Sequence, residues 1–184
     1  MRSIANTIAS LALFGAAGAQ TNLVVNGGFE TGDTSDWSVY GTDIFDMGVL
    51  HQDSFGTDDQ TWVMYFGSVG GDGFLSQTLS NAPGSYTISY EFASQGGSPS
   101  DFGVYWDGTL VKYLTDPAPQ DFEWTSLTVF GSGNDTLTFG ARNDPYFLGL
   151  DNVRVISSAT NTPSPAAALP MLGGLIGLAR RRRK

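Results

Sequence analysis

Apolar residues along this chain recur at every second position, and few stretches show helical spacing. In Ser85–Phe92, residues Tyr86, Ile88, Tyr90 and Phe92 fall on one face of an extended strand, with Glu91 in the polar phase. Phe102, Val104 and Trp106 repeat the pattern as far as Asp107-Gly108, a dipeptide suited to a two-residue hairpin turn, and Leu110-Val111 opens the returning strand. Leu127 and Val129, Leu137 and Phe139, then Leu150, Val153 and Val155 continue it, with Gly131-Ser-Gly-Asn-Asp135 as a turn between two strands. Twenty-four glycines and clusters of Asn, Asp and Ser punctuate short strands throughout. The pattern predicts an all-β chain folded as an antiparallel β-sandwich.

Both ends of the chain break the alternation. Arg2, the apolar run from Ile8 to Ala17 and the Ala17-Gly18-Ala19 site read as a secretory signal helix over residues 1–19. Residues 157–165, rich in Ser, Thr, Asn and Pro, read as a linker following a sandwich domain over 20–156. Residues 166–179 are uncharged and mostly apolar, and as a short helix they would reach only ~21 Å against a hydrocarbon core of ~30 Å. Arg180, Arg181, Arg182, Arg183 and Lys184 then form a basic stop that would remain cytoplasmic.

Pro163 and Pro165, the short apolar stretch and the basic stop together resemble the PEP-CTERM sorting tail of Gram-negative bacteria, here over 162–184. Ser164 stands where that family usually has glutamate, which leaves the subtype of the processing enzyme open. The resemblance implies signal peptidase and an exosortase-type protease as partners, transient residence of the tail in the inner membrane, and delivery to the cell surface or beyond.

Charge narrows the partners. All eighteen carboxylates lie between Gln20 and Pro165, fifteen of them Asp, and only Lys112, Arg142 and Arg154 oppose them there. So acidic a surface repels phosphate backbones and anionic headgroups, which excludes nucleic acid as a partner and leaves any membrane contact to the tail. Cysteine is absent, so packing alone must hold an exported domain together.

Three stretches carry a second resemblance. Asn22-Leu-Val-Val-Asn-Gly-Gly-Phe-Glu30 with its continuation to Trp37, Gln77 to Tyr90, and Leu150-Asp-Asn-Val-Arg-Val155 look like the start, middle and end of jelly-roll modules grouped with galactose-binding-like domains and carbohydrate-binding modules. In that family a structural calcium ion is often held by an early and a late carboxylate, and Glu30 and Asp151 occupy the matching positions. Calcium takes six to eight oxygens, so these two with backbone carbonyls suit it. Asn26 and Asp33 are weaker candidates by proximity.

Catalytic side chains are scarce. His51 is the sole histidine, which argues against triad chemistry and against a zinc site, and it reads as a surface residue. Glu91 and Glu123 are acids of the kind glycosidases pair, but both read as solvated strand positions. Gly70-Gly-Asp-Gly73 lacks a lysine and a following helix and reads as a turn. Sugar modules stack aromatic rings on pyranose faces and flank them with hydrogen-bonding groups. Trp37 and Trp124 read as packing residues. Trp62, Tyr65, Trp106 and Tyr146 remain as candidate platforms, with Arg142 near Tyr146 as a partner that could bridge to an acidic polysaccharide; Tyr105 and Trp106 must face opposite sides of their strand. The expectation is an exported noncatalytic module that binds polysaccharide or matrix components. The alternatives are a secreted polysaccharide-degrading enzyme and a ligand-free structural surface protein.

Overall fold

The computed structural model describes residues 20–51 and 62–158. Ten strands form two five-stranded antiparallel sheets. The first sheet holds β1 (Ser38–Gly41), β4 (Gly73–Thr78), β9 (Thr136–Asn143), β6 (Ser100–Trp106) and β7 (Thr109–Thr115), in that spatial order. The second holds β2 (Met47–His51), β3 (Trp62–Phe66), β10 (Leu148–Ser157), β5 (Gly84–Ser94) and β8 (Gln120–Gly131). Apart from the β2–β3 and β6–β7 pairs, each connection passes from one sheet to the other. The 3-10 turn Ile44–Asp46 is the one helical element among the described residues. The expected signal segment and sorting tail, with Pro163, Pro165 and the arginines 180–183, lie outside those residues.

Alternation places the core between the sheets as expected. Tyr86, Ile88, Tyr90 and Phe92 point inward from β5, and Phe102, Val104 and Trp106 point inward from β6. Phe102 stands against Phe66, Tyr90, Phe92 and Phe139, with the Phe92 ring 4.5 Å away between centroids. Asp107 and Gly108 both have positive φ, 47° and 72°, the backbone that lets a two-residue hairpin follow the twist of its strands. β10 runs to Ser157 and the Ser158 amide still donates to the Ser85 carbonyl, so the sandwich reaches past residue 156, where it was expected to end.

The segment before β1 closes one end of the sandwich. Leu23 donates to the Val155 carbonyl and Val153 to that of Gly27, so this segment lies along β10 beyond its pairing with β3. Gln77, buried in β4, holds it from the other sheet. Its amide accepts from Val25 N and donates to Val25 O and Asp36 O at 2.9–3.0 Å. Phe29 enters the core fully buried at φ 55°, against Trp37, whose Nε1 donates to the Asn26 carbonyl.

Candidate functional site

Antiparallel pairing sets five outward positions of the first sheet in one row: Tyr40 opposite Phe74, Phe74 opposite Gly140, Gly140 opposite Gly103, and Gly103 opposite Tyr113. The row runs from one edge strand to the other. Its two central positions have no side chain, and neighbouring rings lie across them. A Cβ on Gly140 would sit 2.6 Å from the Phe74 ring, and one on Gly103 2.9 Å from the Tyr105 ring. Glycine in a strand interior weakens it and marks a close approach, here of aromatic rings. Phe74 stacks on Tyr40 at 5.3 Å and 18°, and meets Tyr105 edge-on at 6.3 Å. Tyr40 and Tyr113, at the two ends, are 47% and 50% exposed.

Polar groups flank the rings. On one side Ser38, Ser76, Thr138 and Tyr105 form the adjacent cross-strand row. On the other, Asp101 faces Arg142 across β6 and β9, and Asp72 precedes β4. Burial pushes the Asp101 carboxyl up to about 6, and the nearby Asp72 adds to it, both by its charge and by a hydrogen bond, while Arg142 opposes. Burial also raises the phenols of Tyr105 and Tyr113, with Asp72 the next cause for the first and Asp101 for the second. The Arg142 fork is already engaged. Its Nε and a terminal NH2 donate to the two oxygens of Asp144 at 2.7 and 2.8 Å, and the Gly70 amide also donates to that carboxylate.

Carboxylates gather on the second sheet as well. Asp151, 1% exposed, lies opposite Glu91 in the β10–β5 register, just before a bulge where Asn152 takes φ 50°. Burial pushes the Asp151 carboxyl up to about 7; the Asn152 amide pulls it down, and Glu91 and Glu30 push it further up. Asn152 joins the acids, donating from Nδ2 to Glu91 at 2.6 Å and from its amide to Asp151. Gly28 lies beneath: a Cβ there would meet Glu30, Asn152 and Asp151 at 3.7–3.9 Å. Among the described residues no three His, Cys, Asp or Glu side chains converge as a ready-made metal cage. Asn26 and Asp33 brace the opening loop. Asn26 Nδ2 donates to the carbonyls of Asp33 and Ser35, and hydrogen bonds from Ser35 and Thr31 hold the Asp33 carboxyl below its usual range.

The expected sugar contacts do not come together. Trp106 is a correction: it is 5% exposed and stacks on Tyr86 in the core, so its partner in alternation, Tyr105, is the outward ring. Trp62 packs against the main core and carries Gly32 on its ring. Tyr65 belongs to a second apolar cluster on the outer face of the second sheet, edge-on to Phe147. Tyr146 is exposed in the β9–β10 loop, its amide bonded to Asn143. Of the predicted ligand residues, Arg142 alone lies beside the ring row.

Two further expectations change. Trp124 is no packing residue but 53% exposed on β8, with the Arg154 guanidinium 5.3 Å from its ring. Glu91 is half-buried and hydrogen-bonded where a solvated position was expected. Glu123 and His51 are exposed as expected.

No family profile and no curated protein sequence matches the chain. Solved structures do resemble it. TmCBM61, solved in complex with β-1,4-galactotriose, is 18% identical with a TM-score of 0.58, over 74% of this chain and 99% of that one. The K1 cleaved adhesin domain of Lys-gingipain from Porphyromonas gingivalis W83 is 12% identical with a TM-score of 0.53, over 68% and 92%. Arabinose-bound MgGH51 α-L-arabinofuranosidase is 11% identical with a TM-score of 0.54, over 77% of this chain but only 27% of its own. At these identities the likeness establishes the fold, an all-β jelly-roll sandwich of the kind seen in carbohydrate-binding modules.

Proposed function

We propose that this chain is an exported, noncatalytic polysaccharide-binding protein whose contact surface is the outer face of the first sheet. The cross-strand row from Tyr40 to Tyr113 carries the reading, because it combines ring faces with hydrogen-bonding groups on both flanks. Pyranose rings present apolar C–H faces to such rings, and their hydroxyls need partners like Ser76, Asp101 and Asp72. The resemblance of the fold to a module solved with β-1,4-galactotriose supports it.

Affinity electrophoresis of the full chain through gels containing neutral polysaccharides (galactan, xylan, mannan, arabinan) is the test. Retardation by at least one, lost in Phe74→Ala at unchanged melting temperature and kept in Trp62→Ala, is the expected result. Retardation indifferent to Phe74→Ala would place the contact elsewhere.

The enzymatic alternative rests on Asp101, an acid with a raised pKa beside Asp72. Glycosidases set their two carboxyls roughly 5–9.5 Å apart on either side of the scissile bond, whereas Asp72 and Asp101 lie on the same flank of the ring row. No sugar release from the same panel is therefore expected.

A structural calcium ion forms part of the proposal. Glu30 and Asp151 would supply carboxylate oxygens of the kind calcium takes, backbone carbonyls would complete the set, and the negative charge of Glu91 and Glu30 acting on buried Asp151 favours a cation there. When bound, the ion would neutralise these acids and tie the opening loop to β10. Sorting by the tail is the remaining part, with signal peptidase and an exosortase-type protease as processing partners and the cell surface or medium as destination. Mass spectrometry of the secreted form reads out its C-terminus, and finding Lys184 there contradicts processing.

A further inference from the structure

Resting on the reading of the first sheet as a glycan platform, we propose that the row takes an internal stretch of an uncharged polysaccharide, about four sugar units long, running across the strands from β1 to β7.

Length follows from register. Tyr40 and Tyr113 are separated by four strand spacings, roughly 19 Å, and a pyranose unit in an extended chain advances by about one such spacing. Openness follows from topology. The terminal rings belong to β1 and β7, the outermost strands of the sheet, so a chain lying on the row continues past either edge. The two central glycines leave the floor without a side chain rising from it, as a continuous chain requires. A site built for a chain end would instead close one side of the row.

Charge selects the ligand class. Asp101 beside the row feels the negative charge of Asp72 and Asp116, and the cation that opposes them, Arg142, is held bidentately by Asp144. A uronic acid on the row would meet these acids with no free guanidinium to pair with, whereas neutral hydroxyls can donate to the carboxylates. The sequence alone suggested Arg142 as a bridge to acidic polysaccharide. Its engagement with Asp144 argues the other way.

The experiment is isothermal titration of the full chain with two- to six-unit oligomers of whichever neutral polysaccharide retards it. Affinity is expected to rise at least threefold per added unit up to four units and then level off. Reduction of the six-unit oligomer to its alditol should change affinity less than twofold, and polygalacturonate should not bind. Tyr113→Ala, at the exposed far end, should bring the plateau in by about one unit. Affinity complete at one or two units, or lost on reduction to the alditol, would overturn the internal-chain inference while leaving glycan binding by the sheet intact. Equal binding of polygalacturonate would overturn the selection for uncharged chains. Absence of binding to every neutral polysaccharide would remove the platform reading itself, and this inference with it.

Discussion

The outer faces of the two sheets use the same device to different ends. On both, aromatic rings lie over strand glycines: Phe74 and Tyr105 over Gly140 and Gly103 in the first sheet, Phe122 over Gly149 in the second. On the second sheet the ring joins Val63, 0% exposed, and Ala93, 1% exposed, with Leu50 and Tyr65 around them. That is a satellite core. On the first sheet the rings have acids and hydroxyls for neighbours, and Tyr40 and Tyr113 stand half-exposed at its edges. A ring over a glycine does not by itself mark a ligand surface; whether its neighbours are apolar or hydrogen-bonding decides between packing and recognition.

The sharpest way to break this comparison is to remove one ring from each face. Phe74→Ala should lower polysaccharide affinity tenfold or more, about 1.4 kcal/mol, with little change in melting temperature. Phe122→Ala should leave affinity unchanged and lower stability by up to about 3 kcal/mol, because it opens a packed cluster. Titration and thermal melts of both variants check the pair. If Phe74→Ala destabilises the chain as much as Phe122→Ala, the two faces are alike and the first is also core.

Filling the floors comes next in size. Gly149→Val is expected to displace Phe122, 2.8 Å from the added Cβ, and to cost about 1–3 kcal/mol as overpacking. Gly140→Val should act mainly on binding, since the rings it lifts face solvent. Denaturant titration beside affinity electrophoresis separates the two effects.

A third test concerns pH. Burial holds the Asp151 proton in the folded chain up to about 7, whereas an unfolded Asp releases it near 3.9. The folded state therefore binds the extra proton between those values. Stability from this group is fully present below about pH 4 and is lost as pH rises through about 7. Calcium needs the ionised carboxylate, so the melting temperature gained with calcium over chelator should grow from about pH 5 to about pH 8. Asp151→Asn, which keeps an acceptor for the Asn152 amide, should flatten both dependences. An Asp151→Asn chain that still responds to chelator would assign the ion elsewhere.

The smallest effect is expected at Trp124. Its ring is exposed, yet Arg154 lies over it, so Trp124→Ala should change polysaccharide affinity less than twofold and stability by under about 1 kcal/mol.

How much of this was legible in the sequence follows from how far alternation reaches. The inward faces of β5, β6, β9 and β10 and the Asp107-Gly108 hairpin were legible because long strands with one buried face repeat at period two. The ring row was not. In β4 Phe74 and Leu75 are both apolar, so local pattern cannot say which faces out; β1 has four residues, and β7 is an edge strand exposed along most of its length. The missed signal was Gly103 and Gly140, both in the outward phase of strands whose inward phase was already assigned. Trp124 was misread because it lies on an edge strand whose outward phase shows only through pairing with Glu91. The carboxylates Glu30 and Asp151 were named through family resemblance. The part of Glu91 emerges only from register, which sets it directly against Asp151.

The central claim is that ligand meets the outer face of the first sheet, and a chemical-shift footprint of the isotope-labelled full chain tests it most directly. On addition of a six-unit oligomer of the retarding neutral polysaccharide, the largest amide and ring shifts are predicted at Tyr40, Phe74, Tyr105 and Tyr113, with those of Tyr65, Phe122 and Trp124 unmoved. A footprint centred on the second sheet, or on the β9–β10 loop around Tyr146, would contradict the account.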